Sequence, residues 1–217
     1  MSVTVRDVMT ARVVAVREEA DFKEIVTALR RFGVSACPVI DDSGRVLGVV
    51  SEADLLVKLT DPELPGGLIR LSWRLAEQTK ATAVTARRLM TAPAVCIDPS
   101  EHVAQAAHLM RERQIKRLPV VDSGGRLIGI VSRCDVLSVF DRPDAGIAEK
   151  AAKIAAELVP DASDLDVSVI AGIVTMTGSV PRREDAMRLL GRVRHADGVV
   201  AVRDRLTYPA AAYVATP

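Results

Sequence analysis

The apolar positions of this chain change period in a fixed order. Val13-Val14-Ala15-Val16 is a short continuous apolar run, the pattern of a buried strand. Phe22, Ile25, Val26 and Leu29 then fall at i, i+3, i+4 and i+7, one apolar stripe of a helix, and Gly33 ends it. Cys37-Pro38-Val39-Ile40 predicts a strand whose proline lies near its start, where a missing donor is tolerated. Asp41-Asp42-Ser43-Gly44 is turn chemistry, so residues 46–50 predict the partner strand of a hairpin. A second helix opens at Ser51-Glu52-Ala53-Asp54. The order is strand, helix, strand, strand, helix.

The same order returns 81 residues later. Met9-Thr10 matches Met90-Thr91, and the offset holds without a gap to Leu56 and Leu137, with 15 identities among 48 pairs. Pro38-Val39 answers to Pro119-Val120, Asp41 to Asp122, Gly44-Arg45 to Gly125-Arg126, Gly48 to Gly129, Ser51 to Ser132 and Asp54 to Asp135. Val103, Ala106, Ala107 and Met110 carry the second helical stripe, residues 118–121 and 127–131 the second hairpin, and Ser132-Arg133-Cys134-Asp135 opens the last helix. Two copies of one small unit predict a pseudo-symmetric pair with equivalent clefts. Between the copies, Pro62, Pro65, Gly66 and Gly67 mark a loop. Leu68, Leu71 and Leu75 with Trp73 predict a short amphipathic helix, either a packed connector or a dimer contact through Trp73.

After a hinge at Arg142-Pro143-Asp144 the rhythm changes. Ala151, Ile154, Ala155 and Leu158 share a helical face, and residues 160–164 read as a loop. Val167, Val169, Ile173 and Val174 belong to two strands joined around Ala171-Gly172, with Gly178 closing the second. Pro181 suits a helix start, Ala186, Leu189, Leu190 and Val193 form that helix's apolar face, and Val199-Val200-Ala201-Val202 predicts a last strand. This segment reads α-β-β-α-β. The fold class is therefore α/β in the broad sense, α+β in detail. Its parts are a first repeat over 1–57, a linker over 58–85, a second repeat over 86–141, a small domain over 145–208 and a tail over 209–217.

Composition narrows the class without naming a function. The chain is 49% apolar but 3% aromatic, so its core is aliphatic, and a net charge of +1 offers no global field for nucleic acid or an anionic membrane. Cys37, Cys96 and Cys134 are odd in number and widely spaced, which fits neither a disulfide framework nor a metal site; they read as small buried hydrophobes in a reducing compartment. Neither a secretory signal nor a membrane-spanning apolar run is visible, so a soluble, cytoplasmic protein is expected.

"DVMT", a strand, a helix and "CPVIDDSGRVLGVVSEADLL", followed by "RLMT", a strand, a helix and "LPVVDSGGRLIGIVSRCDVL", resemble a tandem pair of CBS domains, the Bateman module, over roughly residues 5–140. The resemblance implies two β-α-β-β-α units packed sheet to sheet, homodimerisation through flanking helices, and clefts that take AMP, ADP, ATP, S-adenosylmethionine or NAD as a regulatory ligand, with no catalysis and no required cofactor. It places Ser51 and Asp54 beside ribose or phosphate in one cleft and Ser132 and Asp135 in the other. Val34, Ser35 and Ala36, and in the second copy Ile115, Lys116 and Arg117, line the base or hold phosphate. Lys116-Arg117 against Ser35-Ala36 predicts that the second cleft prefers a phosphorylated ligand while the first is neutral or empty. The same Ser-x-x-Asp also has a purely structural reading, because helix capping alone stabilises by about 1 kcal/mol.

"VSVIAGIVTMTGSVPRREDAMRLLGRVRHADGVVAVRDRL" resembles a BON domain, which implies a phospholipid or protein partner. Arg182, Arg183, Arg188 and Arg192 on its second helix are either a solvated face or a patch for anionic lipid, with nucleic acid the least favoured partner. The alternative function is thus an interaction or membrane-associating module with empty clefts. No catalytic constellation and no metal set emerges: His102 and His108 are six apart, on different helical faces, and neither a GxGxxG nor a Walker-type loop occurs.

Overall fold

The computed structural model describes residues 3–59, 83–162 and 164–208. The helix expected around Trp73 and the tail from residue 209 lie outside them. The chain divides into two compact units, Thr4–Val136 and a second that gathers Met1–Val3 with Leu137–Pro217.

In the first unit, α1 (Val5–Val8) leads to β1 (Val16–Arg17), α2 (Phe22–Phe32), β2 (Ala36–Ile40), β3 (Val46–Ser51) and α3 (Glu52–Leu56). The second copy supplies α4 (Ala86–Leu89), α5 (Val103–Glu112), β4 (Arg117–Val121), β5 (Leu127–Ser132) and α6 (Arg133–Leu137). Helix α2 starts where the Asp21 carboxylate accepts the Glu24 N–H and Glu24 accepts the Asp21 N–H, both at 2.8 Å, and it ends at left-handed Gly33. Ile25 and Leu29 are its buried stripe; on α5 the buried face is Val103, Ala106 and Met110, while Ala107 turns outward. Strand β1 is shorter than the apolar run around it, because only Val16 and Arg17 fall in register with Val39 and Ile40.

The two hairpins are built to one register. Ala36 faces Ser51, Cys37 faces Val50, Pro38 faces Val49 and Val39 faces Gly48, with a slip before Ile40. Arg117, Leu118, Pro119 and Val120 face Ser132, Val131, Ile130 and Gly129, with the slip at the equivalent place. The leading segments are exchanged between the copies. Val5 and Arg6 donate to the carbonyls of Glu101 and Pro99 at 2.8 and 2.9 Å, and Ala86 and Arg87 donate to those of Ala20 and Glu18, both at 2.9 Å. Val5 is fully buried in the core of the second hairpin with Ile97, Ala106 and Leu118, whereas Ala86 and Leu89 are fully buried in that of the first with Ile25, Leu29 and Val39. Each buried Val, Leu or Ile among these contributes about 1.5–3 kcal/mol, and each alanine methyl about 0.8 kcal/mol.

In the second unit, α7 (Asp144–Leu158), β6 (Asp166–Ile170), β7 (Ile173–Ser179), α8 (Arg183–Arg194) and β8 (Ala201–Thr207) follow in the order expected. The sheet runs β6-β7-β8, the first pair antiparallel and the second parallel. Ala171 and Gly172 both have positive φ, and the Asp144 carboxylate holds this turn by accepting both of their N–H groups at 2.8 Å. Two boundaries differ from expectation. Pro181 stands one residue outside the cap of α8, which is Arg182. The last strand starts at Ala201, because Gly198 turns the chain and the Val199 N–H is taken by the Ala196 carbonyl.

Candidate ligand-binding clefts

Each Ser-x-x-Asp stands where a hairpin runs into a helix. Ser51 closes β3 and caps α3; the Asp54 carboxylate accepts its N–H at 2.9 Å and its hydroxyl at 2.7 Å. Asp135 accepts the Ser132 N–H and hydroxyl, both at 2.7 Å, and the Ser132 hydroxyl oxygen accepts the Asp135 N–H at 3.3 Å. All four side chains belong to half-buried residues. The segments before the Pro-Val strands come to the same ends of the hairpins. Ala36 faces Ser51 across the ladder and the Ser35 carbonyl accepts the Glu52 N–H at 3.0 Å; Arg117 faces Ser132 and the Lys116 carbonyl accepts the Arg133 N–H at 3.2 Å. Val34 and Ile115 are fixed just upstream, donating to the Leu29 and Met110 carbonyls at 3.0 Å each. Thus Val34, Ser35, Ala36, Ser51 and Asp54 gather at one place and Ile115, Lys116, Arg117, Ser132 and Asp135 at its counterpart. Lys116 alone among these ten is exposed.

Further contacts join the copies near these places. The Arg117 guanidinium donates to the Ser35 hydroxyl at 2.6 Å, so its charge ends beside the first copy's residues. The Thr91 hydroxyl lies 3.4 Å from Asp54, and its backbone exchanges bonds of 2.8 and 3.1 Å with Val49. Thr10 pairs likewise with Ile130, at 2.9 and 3.0 Å. The sequence reading missed Thr91 as a site residue. The signal was the repeated Met-Thr, which served only to anchor the offset. Gly48 is what lets the second Met-Thr approach, since a Cβ there would meet Met90 Sδ at 2.6 Å.

Both repeats fit the CBS domain family model, at residues 5–61 and 86–142, and residues 143–210 fit the BON domain model. This chain is a CBS domain pair followed by a BON domain. An uncharacterized protein of Methanocaldococcus jannaschii is 32% identical to it over 152 residues, which cover 63% of this chain and 90% of the relative. The magnesium transporter MgtE of Thermus thermophilus is 34% identical over 158 residues, covering 70% of this chain but 30% of the transporter. The crystal structure of the Arabidopsis thaliana CBS protein CBSX2 in complex with AMP superposes with a TM-score of 0.50 at 32% identity, covering 62% of this chain and 92% of that one.

On the BON domain, Arg182, Arg183 and Arg192 are exposed, and Arg188 is ion-paired with Asp185 one turn earlier. His195 Nδ1 lies 2.8 Å from the Gly191 carbonyl. The cysteines are not uniformly buried as expected. Burial pushes the Cys37 thiol up to about 11 and also raises Cys96, which is half-buried, but Cys134 is exposed because it lies on the outer side of the short helix α6. Among the described residues no group of His, Cys, Asp or Glu could hold a metal ion, and no helix is long and apolar enough to cross a membrane.

Proposed function

We propose that the CBS pair is a regulatory module that takes an adenosine-containing ligand in its clefts and relays occupancy to the BON domain, without catalysing a reaction. The observation that carries this is the half-buried Ser-Asp pair at the end of each hairpin, joined at one of them by the hydroxyl of Thr91. A carboxylate so placed accepts hydrogen bonds from a ribose diol, and neighbouring hydroxyls add donors and acceptors around it. The AMP complex of CBSX2 supports the same ligand class. AMP, ADP, ATP, NAD and S-adenosylmethionine are the candidates. The relay is a population shift: a ligand that binds one arrangement of the repeats more tightly favours that arrangement. A homodimer formed through the helices of the CBS pair, acting in the cytoplasm, completes the proposal.

A thermal-shift panel of the five ligands on the full chain tests it. Ligand at about 100 times its dissociation constant stabilises by about 2.7 kcal/mol. No shift with any of them at millimolar concentration would favour the second reading, an interaction module with empty clefts. The observation behind that second reading is on α8, where exposed Met187 stands one turn from Arg183 and is 66% accessible. An apolar side chain among exposed arginines suits an anionic lipid surface or an acidic protein partner. Co-sedimentation with anionic and neutral vesicles separates it from an ordinary solvated face.

A further inference from the structure

The two edges of the BON sheet are finished differently. In the order β6-β7-β8, no strand among the described residues lies beyond β6 or β8. Strand β8 carries Arg203, Asp204 and Arg205, all exposed, and the Asp204 carboxylate accepts the Leu206 N–H of its own strand at 2.9 Å. Two copies of β8 paired about their centre would set Asp204 against Asp204 and Arg203 against Arg205. Charge and an occupied donor protect an edge from further pairing. Strand β6 has neither protection: after Asp166 it runs Val167-Ser168-Val169-Ile170, without charge or proline. The tight turn at Ala171-Gly172 makes Ile170 and Ile173 the closing hydrogen-bonded pair. Ser168 and Asp166 therefore bond towards β7 as well, and Val167 and Val169 direct their N–H and C=O groups to the open side. Beside this edge, between β6 and α7, lies a groove of about 520 Å³ walled by Ala152, Ala156, Val159, Leu165 and Val167, with Asp166 the one charged residue among the described residues that line it.

We propose that β6 is a self-association surface, on which a second copy of this chain adds its own β6, antiparallel, about a two-fold axis at Ser168. The occupant is a second copy because the strand is complementary to itself. In that register Val167 faces the partner's Val169, and the outward backbone groups of both close a hydrogen-bonded pair on each side of the axis. Ser168 meets the partner's Ser168 in the closer, non-hydrogen-bonded position, and Asp166 meets the partner's Ile170, so no like charges face each other. Val167 and Val169 share the face that packs on the domain core, and Val167 also walls the groove. The partner's Val169 thus comes to lie beside Val167 along that apolar wall. The contact is isologous and separate from dimerisation through the CBS helices, and it needs no ligand in the clefts.

Disulfide trapping of the full chain tests this in a Cys134→Ser background, which removes the exposed native thiol. Ser168 is exposed, so its replacement leaves the core intact. Ser168→Cys chains at micromolar concentration with oxidised glutathione should form a covalent dimer, because facing residues of a non-hydrogen-bonded pair have Cα atoms about 4.5 Å apart, within disulfide range. Thr175→Cys, one strand inward on the same face, and Arg203→Cys, on the other edge, should stay single on a non-reducing gel. Asp166→Cys and Ile170→Cys chains should cross-link when mixed and not when kept apart, which fixes the register. In sedimentation equilibrium, Ser168→Lys should raise the dissociation constant of self-association about fivefold, the scale of like charges placed opposite on neighbouring strands. An equal mixture with Ser168→Glu should recover it, whereas an association carried by the CBS helices alone would be indifferent to both. If Ser168→Cys cross-links no faster than Thr175→Cys, or if Arg203→Cys is the variant that cross-links, β6 is not the contact and the proposal is wrong. It is equally wrong if neither charge at position 168 changes the sedimentation.

Discussion

Alanine at either of the two pseudo-equivalent glycines puts one methyl group between a hairpin and a Met-Thr segment, and the two places are not equally forgiving. A Cβ at Gly48 would lie 2.6 Å from Met90 Sδ and 2.8 Å from both Met90 Cγ and the Thr91 carbonyl oxygen. At Gly129 it would lie 2.6 Å from Met9 Sδ, but 3.3 Å from Met9 Cγ and from the Thr10 carbonyl oxygen. A thioether can rotate away. The Thr91 carbonyl accepts the Val49 N–H at 3.1 Å, and it can retreat only by giving up that bond. Gly129→Ala therefore costs about 1 kcal/mol, the scale of a displaced rotamer. Gly48→Ala costs about 2–3 kcal/mol, because overpacking adds to the loss of a backbone bond. For a unit of this size these translate into midpoints lowered by roughly 3 °C and roughly 8 °C. Thermal melts of the full chain, followed by far-UV circular dichroism, measure the difference. Because Thr91 moves with the clash, Gly48→Ala should also weaken any ligand that engages Asp54. Equal destabilisation, or a larger loss in Gly129→Ala, would refute the idea that the position of the carbonyl decides the outcome.

Cys37 gives a pH dependence of definite sign. Its thiol is held at about 11 in the fold against 9.0 unperturbed, so the unfolded chain releases the proton first and stability falls as pH rises from about 9 to about 11. The loss is about 2–3 kcal/mol by denaturant titration across that window, and Cys37→Ala should flatten the slope whatever it does to overall stability. Thiol titration of the native protein should find Cys134 reacting first and Cys37 last, since the one is exposed and the other buried. Burial works against ionisation of Asp197, but the hydrogen bond and charge of Lys150, the Val3 N–H and the charge of Arg142 together outweigh it and hold the carboxyl below its usual range. Its contribution is present above the ordinary carboxylate pKa and lost as pH falls through the lowered one, so Asp197→Asn should reduce the acid sensitivity of the C-terminal unit in a melt series from pH 6 down to about pH 3. Gly178 has φ +122°, and a Cβ there would lie 2.5 Å from the Asp164 carbonyl oxygen, so Gly178→Ala should destabilise the same unit by roughly 3 kcal/mol in urea denaturation.

The hairpins, their turns and the Ser-x-x-Asp helix starts were legible because each rests on local chemistry: a short apolar run, an Asp-x-x-Gly turn, a hydroxyl followed by a carboxylate. What was not legible depends on which copy a segment packs against. The 81-residue offset is the same whether α1 covers its own hairpin or the other one, so the exchange of α1 and α4 leaves no trace in the alignment. Thr91 was overlooked for the same reason, since it reaches Asp54 only through that exchange. Arg117 was visible as a cation, but its destination at Ser35 was not, because a long side chain can end far from its own register position. In the BON domain the apolar run at Val199 and Val200 drew the last strand too early. The true strand β8 carries Arg203, Asp204 and Arg205, all exposed, and three consecutive charged residues break the alternation that marks a strand.

The traded leading helices make a single repeat an incomplete folding unit. A piece of the chain cut between the copies would hold a hairpin without the Ala86 and Leu89 that seal its interior, and its other half would lack Val5. Such fragments are expected to be insoluble or unfolded apart and to recover structure on mixing. A gene that encoded only one copy would have had to work as a dimer with swapped arms. Because both arms lie on one chain, the two copies are free to differ, as Arg117 against Ala36 shows.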